Sequence, residues 1–155
     1  TLNLAMNKKK IYVAGPLNAM AVDYLKNVSN MMTEAEHLRR LGFSIYVPAI
    51  DLLMGIKFGY TGYNDYFDNS QPWLKAADAV YLCKGWENSK GTKAEMETAM
   101  ANGIPVFDDP DELVKHFQSH GLIAEMAELQ QEIDSIWFRI QADLETMISK
   151  QIKEN

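Results

Sequence analysis

Cysteine is almost missing: Cys83 is the single one in 155 residues, so no intramolecular disulfide forms and no cysteine cluster has zinc spacing. That usage points to a reducing compartment, and the cytoplasm is the expected location. Histidine is equally sparse. His37, His116 and His120 are scattered, and the close pair His116/His120, read as sitting near a helix end, lacks the glutamate of an HExxH arrangement. No metal and no cofactor are therefore expected. No apolar run approaches the ~20 residues that span a bilayer, and the opening TLNLAMNKKK has no signal-peptide core, so no membrane association is expected. Basic residues are also short, 15 Lys and Arg against 21 Asp and Glu, for a formal net charge of −6. A broad surface for polymeric nucleic acid or anionic lipid is excluded by that balance. A small phosphorylated ligand is not, since a few backbone N–H groups hold one phosphate without a basic surface.

What the chain does have is an ordinary supply of core, 47% hydrophobic and 23% charged residues, enough for one compact domain. Lys10 to Ala14 (KIYVA) is β-branched and closed by Gly15-Pro16, which predicts a strand running into a turn. From Ala21 to Leu41, the residues Leu25, Val28, Met32, Ala35 and Leu38 recur at helical spacing, with Gly42 as the stop. Phe43 to Val47 and Ala79 to Cys83 read as further strands, Ser89 to Asn102 as a helix stopped by Gly103, and Ile104 to Phe107 as a fourth strand. Pro105 there hints at an edge. Strands alternating with helices predict an α/β fold, a flavodoxin-like or Rossmann-like parallel sheet of four to five strands sandwiched by helices. Ligands of such sheets bind beyond the carboxyl ends of the strands, which nominates the segments after Ala14, Val47, Cys83 and Phe107.

Two stretches depart from the alternation. Ile56 to Asn69 (IKFGYTGYNDYFDN) is aromatic and without clear period, and is expected to be a long excursion, either stacking on a flat ligand or forming a small core or subunit contact. In the tail, Leu122, Met126, Leu129, Ile133, Ile136, Ile140, Leu144 and Met147 recur at spacings of four and three. That is a heptad-like seam on a long C-terminal helix. Some thirty residues make a helix of ~45 Å, longer than its own domain can cover. The expected organisation is thus an α/β domain over 1–120 and a helical oligomerisation extension over 121–155, giving a homo-oligomer, dimer or tetramer. Trp73 is expected in the core and Cys83 as a small buried hydrophobe.

The chemistry concentrates in Gly85-Trp86-Glu87-Asn88-Ser89-Lys90-Gly91-Thr92-Lys93-Ala94-Glu95, which leads from the third strand into a helix. Ser89 is placed to cap that helix, and with Gly91 it leaves backbone N–H groups open to an anion. Glu95 lies about two turns in, on the side of Gly91 and Thr92. Glu97 is the rival carboxylate, and periodicity alone does not choose between them.

IYVAGPLN at 11–18, AADAVYL at 76–82, and S-x-G-x-x-x-E at 89–95 followed by A-x-x-x-G-I-P-V resemble the nucleoside 2-deoxyribosyltransferase superfamily, which includes deoxynucleoside 5′-monophosphate N-glycosidases. The resemblance covers residues 10 to about 108. It implies a glutamate nucleophile at Glu95, oriented by Tyr12, that attacks the anomeric carbon of a nucleoside or nucleotide and expels the base. Substrate contacts are expected at Gly15, Asn18, Trp86, Ser89 and Gly91. Ser89, standing where transferases acting on free nucleosides tend to carry an acid, favours a 5′-monophosphate. The family's Asp eight residues before the Asp that opens the third strand is replaced: counting back from Asp78 gives Ser70, with Asp68 two residues earlier as the substitute. The hydrolases' arginine-rich loop is absent too, leaving Asn18, Lys90 or Lys93 to assist backbone donors. Hydrolysis of a (deoxy)nucleoside 5′-monophosphate is the leading expectation. Base exchange between free nucleosides and a non-catalytic nucleotide-binding protein are the alternatives.

Overall fold

The structure, a computed structural model, describes residues 9–17, 21–59 and 63–153. Strands β1 (Lys10–Ala14), β2 (Ser44–Tyr46), β3 (Ala79–Leu82) and β4 (Val106–Phe107) form one four-stranded sheet in the order β2-β1-β3-β4. All neighbours are parallel, with Tyr12 opposite Tyr46 and Val80, and Val80 opposite Val106. Parallel neighbours need crossovers, and helices supply them: α1 (Ala21–Arg40), α2 (Asp51–Phe58), α3 (Tyr63–Lys75) and α4 (Lys90–Ala101). The expected α/β sandwich is what forms, with four strands. Because β2 lies on one side of β1 and β3 on the other, the strand order reverses between β1 and β3, the place where ligands of such sheets bind.

Alternation along the buried strands sorts side chains to two faces. Ile11 and Val13 of β1 join Ala79, Tyr81 and Cys83 in a core covered by Met31, Ala35 and Leu38 of α1. Tyr12 and Ala14 join Val80 and Leu82 in a second core with Leu74 of α3 and Ala99 of α4. The inward stripe of α1 is therefore Met31, Ala35 and Leu38; Leu25 and Met32, expected on it, are 60% and 56% exposed. Gly42 and Gly103 adopt φ of 104° and 68°, the left-handed backbone that closes a helix, as their positions predict. Pro105 precedes the edge strand β4, and its carbonyl accepts from Val80 N at 2.9 Å, so the missing N–H costs nothing there.

Gly15, at the end of β1, is required for close packing: a Cβ there would lie 2.8 Å from Met31 Cε and 3.0 Å from Cys83 Cβ. Gly15→Ala should lower stability by about 1–3 kcal/mol, read as a lower denaturant midpoint at unchanged slope. Cys83 is buried, and burial followed by the neighbouring Glu34 pushes its thiol well up, so it behaves as a small apolar residue.

Three expectations are corrected. The aromatic stretch 56–69 is not an excursion: its described residues, Gly59 in a turn apart, belong to α2 and α3. Trp73 is not in the core but 56% exposed, its ring stacked on Tyr46 at 5.3 Å. The last helix, α5, begins not near 121 but at Pro110 and runs 44 residues to Lys153. Asp109 explains the earlier start, since its Oδ1 accepts from Asp111 N at 2.7 Å and Glu112 N at 3.1 Å, and Pro110 suits the first helical position. His116 and His120 accordingly sit within a helix. Residues up to Phe117 belong to the α/β unit, where Leu113 and Phe117 are buried, and 118–155 form a second unit. Among the described residues no helix is long and apolar enough to cross a membrane.

Candidate active site

β1 delivers Tyr12 to the second face at the point of strand reversal, and α4 delivers Glu95 to meet it. Thr92, Glu95, Met96 and Ala99 recur at spacings of three and four, so they share the inward stripe of α4. Glu97, two residues from Glu95 and thus about 200° round the helix, is exposed. Of the two carboxylates, Glu95 is the one that lies beside Tyr12. Tyr12, fully buried, donates its hydroxyl to Glu95 Oε1 at 2.6 Å.

A carboxylate in that stripe is costly, because burial opposes its charge. Burial pushes Glu95 up to about 7, and the Tyr12 hydrogen bond offsets part of the rise. Burial and then the Glu95 charge push the Tyr12 hydroxyl far above its ordinary value, so it stays a proton donor. Ser70, close to Tyr12, works in the opposite direction. Ser70 is 3% exposed, and its hydroxyl donates to the Phe67 carbonyl at 3.2 Å.

α3 puts positions 68 and 70 on different sides. Ser70 and Leu74, one turn apart, face the sheet, and Asp68 falls on the far side, exposed. The expected approach of Asp68 to this place is corrected: Ser70 stands there. Among buried side chains, Gln71 Nε2 on α3 and Thr92 Oγ1 on α4 have no protein hydrogen-bond partner, a condition that native interiors rarely leave unexplained.

Ser89 caps α4, its side chain accepting from Thr92 N at 3.2 Å, with Gly91 in the first turn. Gly15 closes β1 as described above. Trp86, in the turn between β3 and α4, is half-buried and packs on the core that holds Tyr12. Asn18 lies outside the described residues.

The end of β2 contributes groups that sequence reading missed. Tyr46 lies 5.6 Å from Tyr12, ring to ring, and Trp73 stacks on Tyr46 at 5.3 Å, giving an aromatic series that starts beside Glu95. Burial, then Asp51, then Glu95 push Tyr46 up to about 12, so both carboxylates act on one hydroxyl. Asp51 is held by Asn69, whose Nδ2 donates to its Oδ2 at 3.1 Å. Asp51 sits in a stretch with no motif. Its only signal was position, four residues past Val47, one of the nominated strand ends.

The fold and this site define a parallel α/β domain with a half-buried, tyrosine-bonded carboxylate at the point of strand reversal. Within that class the chain belongs to the family described as a domain of unknown function, DUF4406, which matches residues 9–108. Among solved structures it is similar to a 2-deoxyribosyltransferase of the psychrotolerant bacterium Bacillus psychrosaccharolyticus, at 29% identity over 63% of this chain and 69% of that one, with a TM-score of 0.47. A conserved protein of Enterococcus faecalis V583 is similar at 25% identity over 64% of this chain and 61% of that one, TM-score 0.47. No curated protein matches.

Proposed function

We propose that the protein cleaves the N-glycosidic bond of a (deoxy)nucleoside 5′-monophosphate, with Glu95 as nucleophile. The observation that carries this reading is the 2.6 Å bond from Tyr12 to a half-buried carboxylate. Tyr12 fixes one oxygen of Glu95 and leaves the other to attack. The Glu95 oxygen bonds to the anomeric carbon, the C–N bond breaks, and its electron pair leaves with the base, which takes up a proton. Water then cleaves the glycosyl ester and restores the carboxylate. Two displacements replace one difficult step and retain configuration.

At the other end, the α4 N-terminus offers backbone N–H groups to the phosphate, and Ser89 keeps its hydroxyl hydrogen for it, because the oxygen only accepts from Thr92 N. Ser89→Ala should cost about 1 kcal/mol of stability as a lost cap. It should also raise KM for a monophosphate roughly tenfold while leaving KM for the free nucleoside unchanged. Steady-state kinetics on the two substrates check this, and equal effects on both would remove Ser89 from phosphate binding.

The direct test incubates the protein with deoxynucleoside and ribonucleoside 5′-monophosphates and the matching free nucleosides, and follows free base by chromatography. An added acceptor base separates hydrolysis from base exchange, which yields a new nucleoside. Nucleotide binding by calorimetry without any base release would instead favour the non-catalytic reading, for which Ser70 in place of a carboxylate beside Tyr12 speaks. Residues 1–120 would be the catalytic domain and 121–155 the element that joins copies into a homo-oligomer.

A further inference from the structure

The tail presents large apolar side chains to solvent along its whole length: Leu122, Leu129, Ile133, Ile136, Ile140 and Met147 are each between 43% and 65% exposed. With their exposed neighbours Ile123, Trp137 and Leu144 they offer on the order of 800–1,000 Å² per copy, the area a standard specific interface takes from each partner.

Written as heptads, Met126, Ile133, Ile140 and Met147 occupy one seam position and Leu122, Leu129 and Ile136 the other. The next residue in that second series is Asp143, which shares its layer with Leu144, the seam residue reached from Ile140 by a step of four. Two copies running parallel in register would set Asp143 against Asp143 inside the seam, a like-charge contact with no compensation. The flanks would fare no better, Glu132 meeting Trp137 and Arg139 meeting Leu144. Charge is also divided along the tail. Residues 118–138 hold Glu125, Glu128, Glu132 and Asp134 and no Lys or Arg, whereas 139–155 hold as many basic as acidic residues. Parallel copies would align the two acidic halves.

Reversing one copy removes these conflicts together. We infer that the tail pairs antiparallel with the tail of a second copy of this chain, Ile133 lying against Ile136 at the centre. In that register Leu122 meets Met147, Leu129 meets Ile140, and each pair occurs twice. The two Asp143 residues move ~25 Å apart at 1.5 Å per residue. On one flank Glu132 comes beside Arg139 of the second copy, again twice, and on the other Ile123 comes beside Leu144. Every seam layer except Met126 with Asp143 is apolar on both sides.

This inference rests on the oligomer reading of the tail and is independent of the glycosidic reaction. The test uses the full chain. Leu122→Cys and Met147→Cys are made singly, mixed and mildly oxidised, and the linked peptides identified by mass spectrometry; Cys83, buried, stays out of the exchange. Disulfides joining 122 to 147 are expected, whether in a dimer or in a tetramer of such pairs. In parallel, Arg139→Glu should weaken association roughly tenfold by sedimentation, and adding Glu132→Arg to the same chain should restore it, because the pair is reformed with its charges exchanged. A monomer at micromolar concentration overturns both the oligomer reading and this pairing. An oligomer whose disulfides join 122 to 122 and 147 to 147, or a double charge exchange that fails to restore association, overturns the pairing alone.

Discussion

Glu95→Ala is expected to reduce base release by a factor on the order of 10⁴ or more, because it removes the only group that forms the covalent bond. Glu95→Gln should lose nearly as much. The amide keeps the volume of the side chain and still accepts from Tyr12, but its oxygen is a poor nucleophile. Comparing the two separates chemistry from folding, since glutamine also removes a charge that burial disfavours. Both variants should unfold cooperatively, and rapid denaturing mass spectrometry of the unaltered protein under turnover should show the added mass of the sugar phosphate, absent in both. Turnover by Glu95→Ala at the unaltered rate would end the proposal.

The second large effect belongs to Tyr12. Glu95 attacks in its ionised form, and burial has raised it to about 7, so kcat/KM should climb with pH through that region and level above it. The Tyr12 hydrogen bond favours the ionised form. Tyr12→Phe removes that influence and leaves the burial in place, so the acid limb must move to higher pH. A hydrogen bond to a charged group is worth about 1.5–3 kcal/mol, which corresponds to a loss of roughly 10- to 100-fold below the shifted limb. A pH profile of both proteins checks the sign. A limb moved to lower pH, or left in place, would mean that Tyr12 does not stabilise the attacking carboxylate.

Both effects come from one feature of the fold, the placing of a charged residue in a stripe that burial reserves for apolar ones. Glu95 shares its inward face with Thr92, Met96 and Ala99. Ser70 and Gln71 do the same on α3, in line with Leu74. The polar residues that make the site thereby break the hydrophobic period by which helices are recognised. That is why α3 was unreadable as a helix, and why Trp73, on its outer side, was mistaken for core.

The sequence by itself determined the elements whose pattern is local: β-branched runs closed by Gly or Pro, helices stopped by Gly42 and Gly103, and the alternation that makes the sheet parallel. It also determined the heptad seam of the tail, since periodicity is a property of the chain alone. Tertiary structure decided the rest. Which face of α3 turns inward, and so Ser70 over Asp68, depends on packing against the sheet. Glu95 over Glu97 depends on where Tyr12 arrives from 83 residues away, a separation across which no periodic signal carries. Asp51 and Tyr46 join the site only because β2 lies beside β1, and the long-range contacts that put it there leave no mark on neighbouring residues.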